Sequence, residues 1–125
     1  MSNIFISLNG DAVGARIGEH IVNDDHSGLA QTASSIQNAH DSIDQWINSV
    51  GGKKIIGAGD DTLAMIPEEA VNDLDSIRET YQKQSGHGLT IGVGASMSQA
   101  SKALIYGKRN GKNQTIHYEP SLEDY

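Results

Sequence analysis

The sequence predicts an α+β sandwich, a mainly antiparallel sheet with helices packed on it. Its core would be ferredoxin-like, β-α-β-β-α-β, with one extra helix and one extra strand. Three observations predict this. Short apolar runs of strand type alternate with segments whose apolar residues recur at helical spacing. Read in order, they give strand, helix, helix, hairpin, helix, strand, helix, strand. The hairpin is marked by Gly57-Ala58-Gly59-Asp60-Asp61, which sits between the apolar runs Ile55-Ile56 and residues 63–66.

Residues 4–8, Ile-Phe-Ile-Ser-Leu, are an apolar run expected to form a central strand with both faces covered. After Asn9-Gly10-Asp11, Val13, Ile17 and Ile21 recur every four residues, which predicts an amphipathic helix over 12–22. Asn23-Asp24-Asp25-His26-Ser27-Gly28 breaks that pattern, and Ser27 is the expected N-cap of a long helix running to about Val50. Its apolar stripe is Leu29, Ala33, Ile36, Ala39, Ile43, Trp46, Ile47 and Val50, and Gly51-Gly52 ends it. Beyond the hairpin, Pro67-Glu68-Glu69 has the proline and acids of a helix start, and the apolar spacing continues to about Gln84. Ser85-Gly86-His87-Gly88 is a turn into the strand at 89–95, where Gly92 and Gly94 mark either a bulge or a close approach of another group. Ser96 or Ser98 caps a fourth helix ending near Gly111, and a last strand covers 114–118. Residues 1–120 therefore form one domain, and 121–125 a polar tail expected to fray.

With 125 residues the chain is long enough for one core, and 37% hydrophobic against 20% charged residues marks it as globular. The absence of cysteine excludes disulfides and thiolate metal sites. No run approaches a membrane span and no signal-peptide pattern opens the sequence, so no membrane insertion and a cytoplasmic location are expected. A net charge of −7 argues against long DNA or RNA as ligand, because tracking a phosphate backbone needs a basic face. Only residues 102–112 are locally basic, through Lys102, Lys108, Arg109 and Lys112, a cluster suited to a small anion. The five histidines, His20, His26, His40, His87 and His117, show no metal-ligand spacing.

Two features carry chemistry. The glycine-containing strand-to-helix turn at residues 10–13 presents backbone N–H groups at a helix N-terminus, a natural phosphate site. The hairpin tip carries Asp60 and Asp61, adjacent carboxylates that a glycine-rich turn can offer to a hard cation. Gly-Asp is also ordinary turn chemistry, and Lys108 and Lys112 near a helix end also complement its dipole. A ferredoxin-like topology places the end of the first strand beside the hairpin tip. Asn9, Asp11, Asp60 and Asp61 would then share a small volume, one that clustered carboxylates tolerate when a cation such as magnesium neutralises them.

Three segments together resemble the minimal CRISPR polymerase family, compact palm-type nucleotide cyclases related to the palm of the type III CRISPR polymerase subunit and to GGDEF diguanylate cyclases. Ile6-Ser-Leu-Asn-Gly-Asp-Ala-Val-Gly14 resembles a strand followed by Asp-Gly-Asp-x-x-Gly. Gly57-Ala-Gly-Asp-Asp61 resembles Gly-Gly-Asp-Asp, with Ala58 departing from it. Ile91-Gly-Val-Gly-Ala, followed by Ala103-Leu-Ile-Tyr-Gly-Lys-Arg-Asn-Gly-Lys-Asn113, resembles the A-L-Y-x-A-K-x-x-G-R-N ending of GGDEF domains.

The resemblance implies a palm, GGDEF-like fold and a metal-dependent nucleotidyltransferase that joins ATP into a cyclic oligonucleotide, of cyclic di-adenylate type, with release of pyrophosphate. It implies a role in bacterial anti-phage defence, with a separate effector that senses the product. Mg2+ or Mn2+ would be held by Asp11, Asp60 and Asp61, the catalytic residues, with Asn9 assisting. Nucleotide would be bound by Asn9, Gly10, Asp11, Ala12, Val13, Gly59, Lys108 and Lys112. Asn9 stands where the family places a first aspartate. Either Asp11 carries the metal with Asp60 or Asp61, or one metal position is weakened. A palm this small is expected to work as a homodimer with facing hairpin edges. The competing readings are a catalytically weak palm that senses a nucleotide, and a ferredoxin-like interaction module.

Overall fold

A computed structural model describes residues 2–58 and 61–125. The N-terminal apolar run becomes strand β1 (Asn3–Gly10), followed by helices α1 (Val13–Val22) and α2 (His26–Ser49). The hairpin is β2 (Lys53–Ala58) and β3 (Asp61–Pro67), and its tip residues Gly59 and Asp60 lie outside the described residues. A 3-10 segment (Glu68–Asp73), α3 (Leu74–Ser85), β4 (Leu89–Gly94), α4 (Met97–Arg109), β5 (Thr115–His117) and a 3-10 turn (Pro120–Leu122) complete the chain. The strands form one mixed sheet in the order β2-β3-β1-β4-β5, antiparallel except for the parallel β4–β5 pair. The α+β sandwich and the central place of β1 are as the sequence predicts.

The period-two alternation of the strands decides what each face meets. Ile6, Leu8, Ala64, Ile66, Leu89, Ile91 and Val93 join Ala39, Ile43 and Ile47 of α2 and Leu74 and Tyr81 of α3 in one buried cluster. The opposite face of β4 carries Thr90, Gly92 and Gly94, and α4 lies directly on it. A Cβ on Gly94 would come within 2.6 Å of the Ala100 amide nitrogen. The two glycines therefore mark a close approach rather than a bulge. The hairpin's irregularity falls between Lys54 and Ile56, on the edge strand, where Ile55 and Ile56 are exposed. A bulge on an edge strand discourages pairing with other chains.

Some local expectations give way to tertiary contacts. Asp25, not Ser27, caps α2: its carboxylate accepts the Gly28 N–H at 2.9 Å and holds His20 Nδ1 at 3.0 Å. These bonds keep the Asp25 carboxyl below the ordinary aspartate range, the Gly28 N–H first and His20 second. The other His20 nitrogen meets the Thr32 hydroxyl at 2.9 Å, so α1 is fastened to α2 and not to the sheet. Its apolar stripe is accordingly covered less and less along its length, with Val13 buried, Ile17 half-buried and Ile21 exposed. The helix expected from Pro67 begins as 3-10, because Val71, Asn72 and Asp73 are weak helix formers and the Asn72 amide bonds the Glu69 carbonyl at 3.1 Å.

The tail does not fray. Leu122 is buried, Glu123 accepts hydrogen bonds from Lys102 Nζ at 2.7 Å and from the Tyr118 hydroxyl, and Tyr125 meets the Tyr106 ring edge-on at 5.2 Å between centroids. Lys102 above all, then Tyr118, holds the Glu123 carboxyl below the ordinary value of 4.5, while Glu123 raises the Tyr118 phenol above 10.0. A depressed carboxyl contributes stability above its unfolded value and loses it as pH falls through the folded one. A raised phenol contributes below its unfolded value and loses it as pH rises through the folded one. The tail should thus stay docked across neutral pH and loosen at both extremes. Amide exchange at residues 122–125 against pH would show this, and equal protection at pH 7 and pH 3 would refute it.

Candidate active site

Each feature of the site has an address in the fold. The end of β1 and the start of β3 lie side by side at one end of the strands, with Asn9 opposite Asp61 in the β1–β3 register and a hydrogen bond from the Asn9 amide to the Asp61 carboxylate. Both residues are thereby held on one face of two adjacent strands. Asp60, the neighbouring carboxylate of the expected pair, lies outside the described residues, as does Gly59. After β1 the chain turns at Ala12, which takes a left-handed conformation (φ 59°) and caps α1 with no side-chain hydrogen bond. Among the described residues no side chain caps the first-turn N–H groups of α1, starting with Val13, and an anion can take that role.

Asp11 sits within a set of hydrogen-bond donors. It is buried, at 7% exposure, and its carboxylate is enclosed by donors. Oδ1 accepts Lys108 Nζ and the Thr90 hydroxyl, each at 2.7 Å, and Oδ2 accepts the Asn113 N–H at 2.9 Å. Its own N–H donates to the Gly88 carbonyl at 2.9 Å, and its carbonyl oxygen is 3.0 Å from His87 Nδ1. The Lys108 ammonium thus balances the charge of the Asp11 carboxylate. Among the described residues, no three of His, Asp and Glu are grouped as metal ligands. What faces outward is the Asn9–Asp61 pair. This donor set suits magnesium or manganese, hard cations that bind through one or two carboxylates and otherwise keep waters and substrate phosphate oxygens.

The basic cluster is divided among several tasks. Lys102 is bound by Glu123, and the Arg109 guanidinium lies over the Tyr125 ring, 5.8 Å from its centroid. Lys108 reaches across to Asp11 and also donates to the Gly10 carbonyl at 3.0 Å. Lys112 is not one helical turn further along, because α4 ends at Arg109. It sits exposed in a turn with φ 57°, followed by Asn113 at φ 46°. Gly10 brings the last support close: a Cβ there would collide with the Tyr81 hydroxyl.

Sequence reasoning missed Thr90, Asn113 and Arg78. Arg78 donates to the Asn113 carbonyl at 3.1 Å and the Thr90 hydroxyl accepts the Asn113 N–H at 3.0 Å, so both brace the 110–113 turn. Thr90 could have been found: a lone hydroxyl within an otherwise apolar and glycine strand must find a partner once buried.

Comparisons with known proteins bear on the fold and the family. The fold is similar to the GGDEF domain of DgcB from Caulobacter crescentus, solved in complex with c-di-GMP. There the TM-score is 0.67 at 14% identity, over 92% of this chain and 77% of that one. It is similar to the active GGEEF domain of a diguanylate cyclase from Vibrio cholerae, with a TM-score of 0.58 at 14% identity over 94% and 83%. The GGDEF domain of TpbB from Pseudomonas aeruginosa gives 0.60 at 14% identity over 96% and 78%. At these identities the likeness shows a shared GGDEF-like palm fold. No curated protein matches the sequence. The minimal CRISPR polymerase domain matches residues 5–118, almost the whole chain, and the protein belongs to that family.

Proposed function

We propose that this polymerase-like palm joins nucleoside triphosphates, ATP in preference, into a cyclic oligonucleotide of cyclic di-adenylate type. The observation that carries the reading is one of convergence. The Asn9–Asp61 pair, the start of α1 after Ala12 and the Lys108 ammonium all lie at the same end of the central strands. A triphosphate laid there has N–H donors from the start of α1 and cations from Lys108 and Lys112, while Asn9, Asp60 and Asp61 supply oxygens for Mg2+ or Mn2+. Bound there, the metal would neutralise phosphate charge and acidify the attacking hydroxyl.

The reaction needs little besides positioning and charge. A ribose hydroxyl oxygen of one nucleotide bonds to the α-phosphorus of another, and its proton passes to solvent. The bond from the α-phosphorus to the bridging oxygen breaks, and pyrophosphate leaves. Asp61 holds the carboxylate side of the site, Asn9 fixes Asp61, and the start of α1 binds the phosphates. Ring closure requires two nucleotides in mutual attack. Two copies with facing hairpin edges supply this, in the symmetric pairing commonest among homo-oligomers. A cyclic product fits a signal read by a separate effector, in keeping with anti-phage defence.

The test is incubation with Mg2+ or Mn2+ and each of the four ribonucleoside triphosphates, with mass analysis of products and rates measured across enzyme concentration. A cyclic adenylate with a rate rising faster than linearly in enzyme is expected. No product from any triphosphate would remove the reading, and strict linearity down to the lowest concentration would remove the facing dimer.

Asn9 favours a second reading, a palm that binds nucleotide as a sensor and turns over slowly. An amide lacks the charge of the aspartate its family places there. Asn9→Asp should tighten Mn2+ binding in the presence of nucleotide by about tenfold, the scale of adding one charged contact. A loss of both binding and turnover with an unchanged melting temperature would show instead that the site needs the neutral amide as donor to Asp61.

A further inference from the structure

We infer that Asp11 is a positioning residue for the phosphate-binding lysines and not a metal ligand. The inference rests on the nucleotide-joining reading for the identity of the ligand, and on this chain's own contacts for the role. The two residues are far apart in sequence, yet Asp11 Oδ1 and the Gly10 carbonyl grip the Lys108 ammonium at 2.7 and 3.0 Å. An ammonium has three donors. With two satisfied by protein, the third has a fixed direction at the mouth of the site, where the Lys108 side chain retains 22% exposure. A lysine on a flexible four-carbon stem would otherwise spread its charge over many rotamers.

The other oxygen fixes the second lysine. Asp11 Oδ2 accepts the N–H of Asn113, next to Lys112, and both residues have positive φ, a conformation that non-glycine residues adopt only where surroundings impose it. Thr90 completes the set by donating to Oδ1 and sharing the Asn113 N–H, at 0% exposure. One buried carboxylate thus sets the place of both lysines. Its charge cancels that of Lys108. Lys108 therefore acts as an oriented donor, and Lys112, in no ion pair among the described residues, brings the positive charge that a triphosphate needs.

The experiment compares Asp11→Asn, Lys108→Met and the double variant with the unaltered protein, using ATP and Mn2+ as probes. ATP affinity comes from calorimetry, Mn2+ affinity at saturating ATP from the electron spin resonance of free Mn2+, and exchange of the Asn113 amide from NMR. Asp11→Asn should weaken ATP about tenfold, the scale of a lost hydrogen bond to a charged group, and keep Mn2+ affinity within about twofold. The double variant should lose less ATP affinity than the product of the two single effects, because part of the Asp11 effect runs through Lys108. The Asn113 amide should exchange faster in Asp11→Asn and stay protected in Lys108→Met. A tenfold loss of Mn2+ affinity confined to Asp11→Asn, or effects on ATP that multiply in the double variant, overturns the inference in favour of a metal ligand.

Should Asp11→Asn fail to fold, isosteric Thr90→Val removes one donor to the same carboxylate. It should weaken ATP severalfold with Lys108 present and by less in the Lys108→Met background, and an equal effect there overturns the inference. If the unaltered protein binds no ATP with Mn2+, it is the proposed function that falls. The positioning role then stands or falls on Asn113 exchange, and equal exchange in the unaltered protein and Asp11→Asn overturns it.

Discussion

Asp61→Ala is expected to reduce nucleotidyl transfer about a thousandfold, the scale seen when a preorganised group that stabilises developing charge is removed. The melting temperature should hardly move. Asp61 is an exposed residue at the first position of β3, and its hydrogen bond goes to Asn9, also near the surface. Exposed substitutions of this kind typically change stability by less than about 0.5 kcal/mol. Loss of activity with stability unchanged separates a site residue from a structural one. Asp60→Ala should behave in the same way, because on this reading the two neighbours share the cation. The readouts are product formation by mass analysis and Mn2+ affinity in the presence of ATP. Asp61→Ala protein that keeps a tenth of the activity would move the metal site away from the hairpin.

Elements whose identity is local were legible in the sequence. The apolar run that becomes β1, the hairpin, the long helix and the Gly51-Gly52 stop all follow from short-range pattern. The juxtaposition of Asn9 with Asp61 was also legible, because strand order alone brings the end of β1 beside the start of β3. The environment of Asp11 was not. Lys108, Thr90 and Asn113 come from α4, β4 and the turn after α4, and no spacing rule joins residues so distant in sequence. Carboxylates counted along the chain do not reveal that Asp11 has an ammonium partner. The division of the basic cluster was hidden for the same reason. Lys102 and Arg109 are engaged by Glu123 and Tyr125 of a tail that looked too polar to dock. Its one apolar residue, Leu122, together with the ring pair of Tyr125 and Tyr106, accounts for the docking.

Gly92→Ala is expected to cost the fold most among substitutions of the described glycines by alanine. Gly92 stands in the middle of β4 on the face that α4 covers, and a Cβ there would press into the Ala100 carbonyl oxygen and the Leu104 amide nitrogen, 3.0 Å from Leu104 Cα. These are backbone atoms in the middle of a helix, so no side-chain rotation relieves the contact. The helix as a whole must lift from the strand. Overpacking that side chains absorb costs about 1–3 kcal/mol, and a backbone clash belongs at or above the upper end. A loss of about 3 kcal/mol is a large share of the 5–15 kcal/mol by which domains are stable. In a chain of this size it lowers the melting temperature by about 10 °C. The same displacement reaches the site, because α4 carries Lys108 while β4 carries Thr90, and both converge on Asp11. Gly92→Ala should therefore also weaken ATP binding in whatever fraction remains folded. Gly18→Ala is the control, since nothing lies within 4 Å of a Cβ at that position in α1. There the substitution relieves a helix of glycine and should stabilise by about 0.5–1 kcal/mol. Thermal unfolding of the two variants, run side by side, decides the matter. A Gly92→Ala melting temperature within about 2 °C of the unaltered protein would mean that α4 does not lie on β4 as closely as the backbone places it.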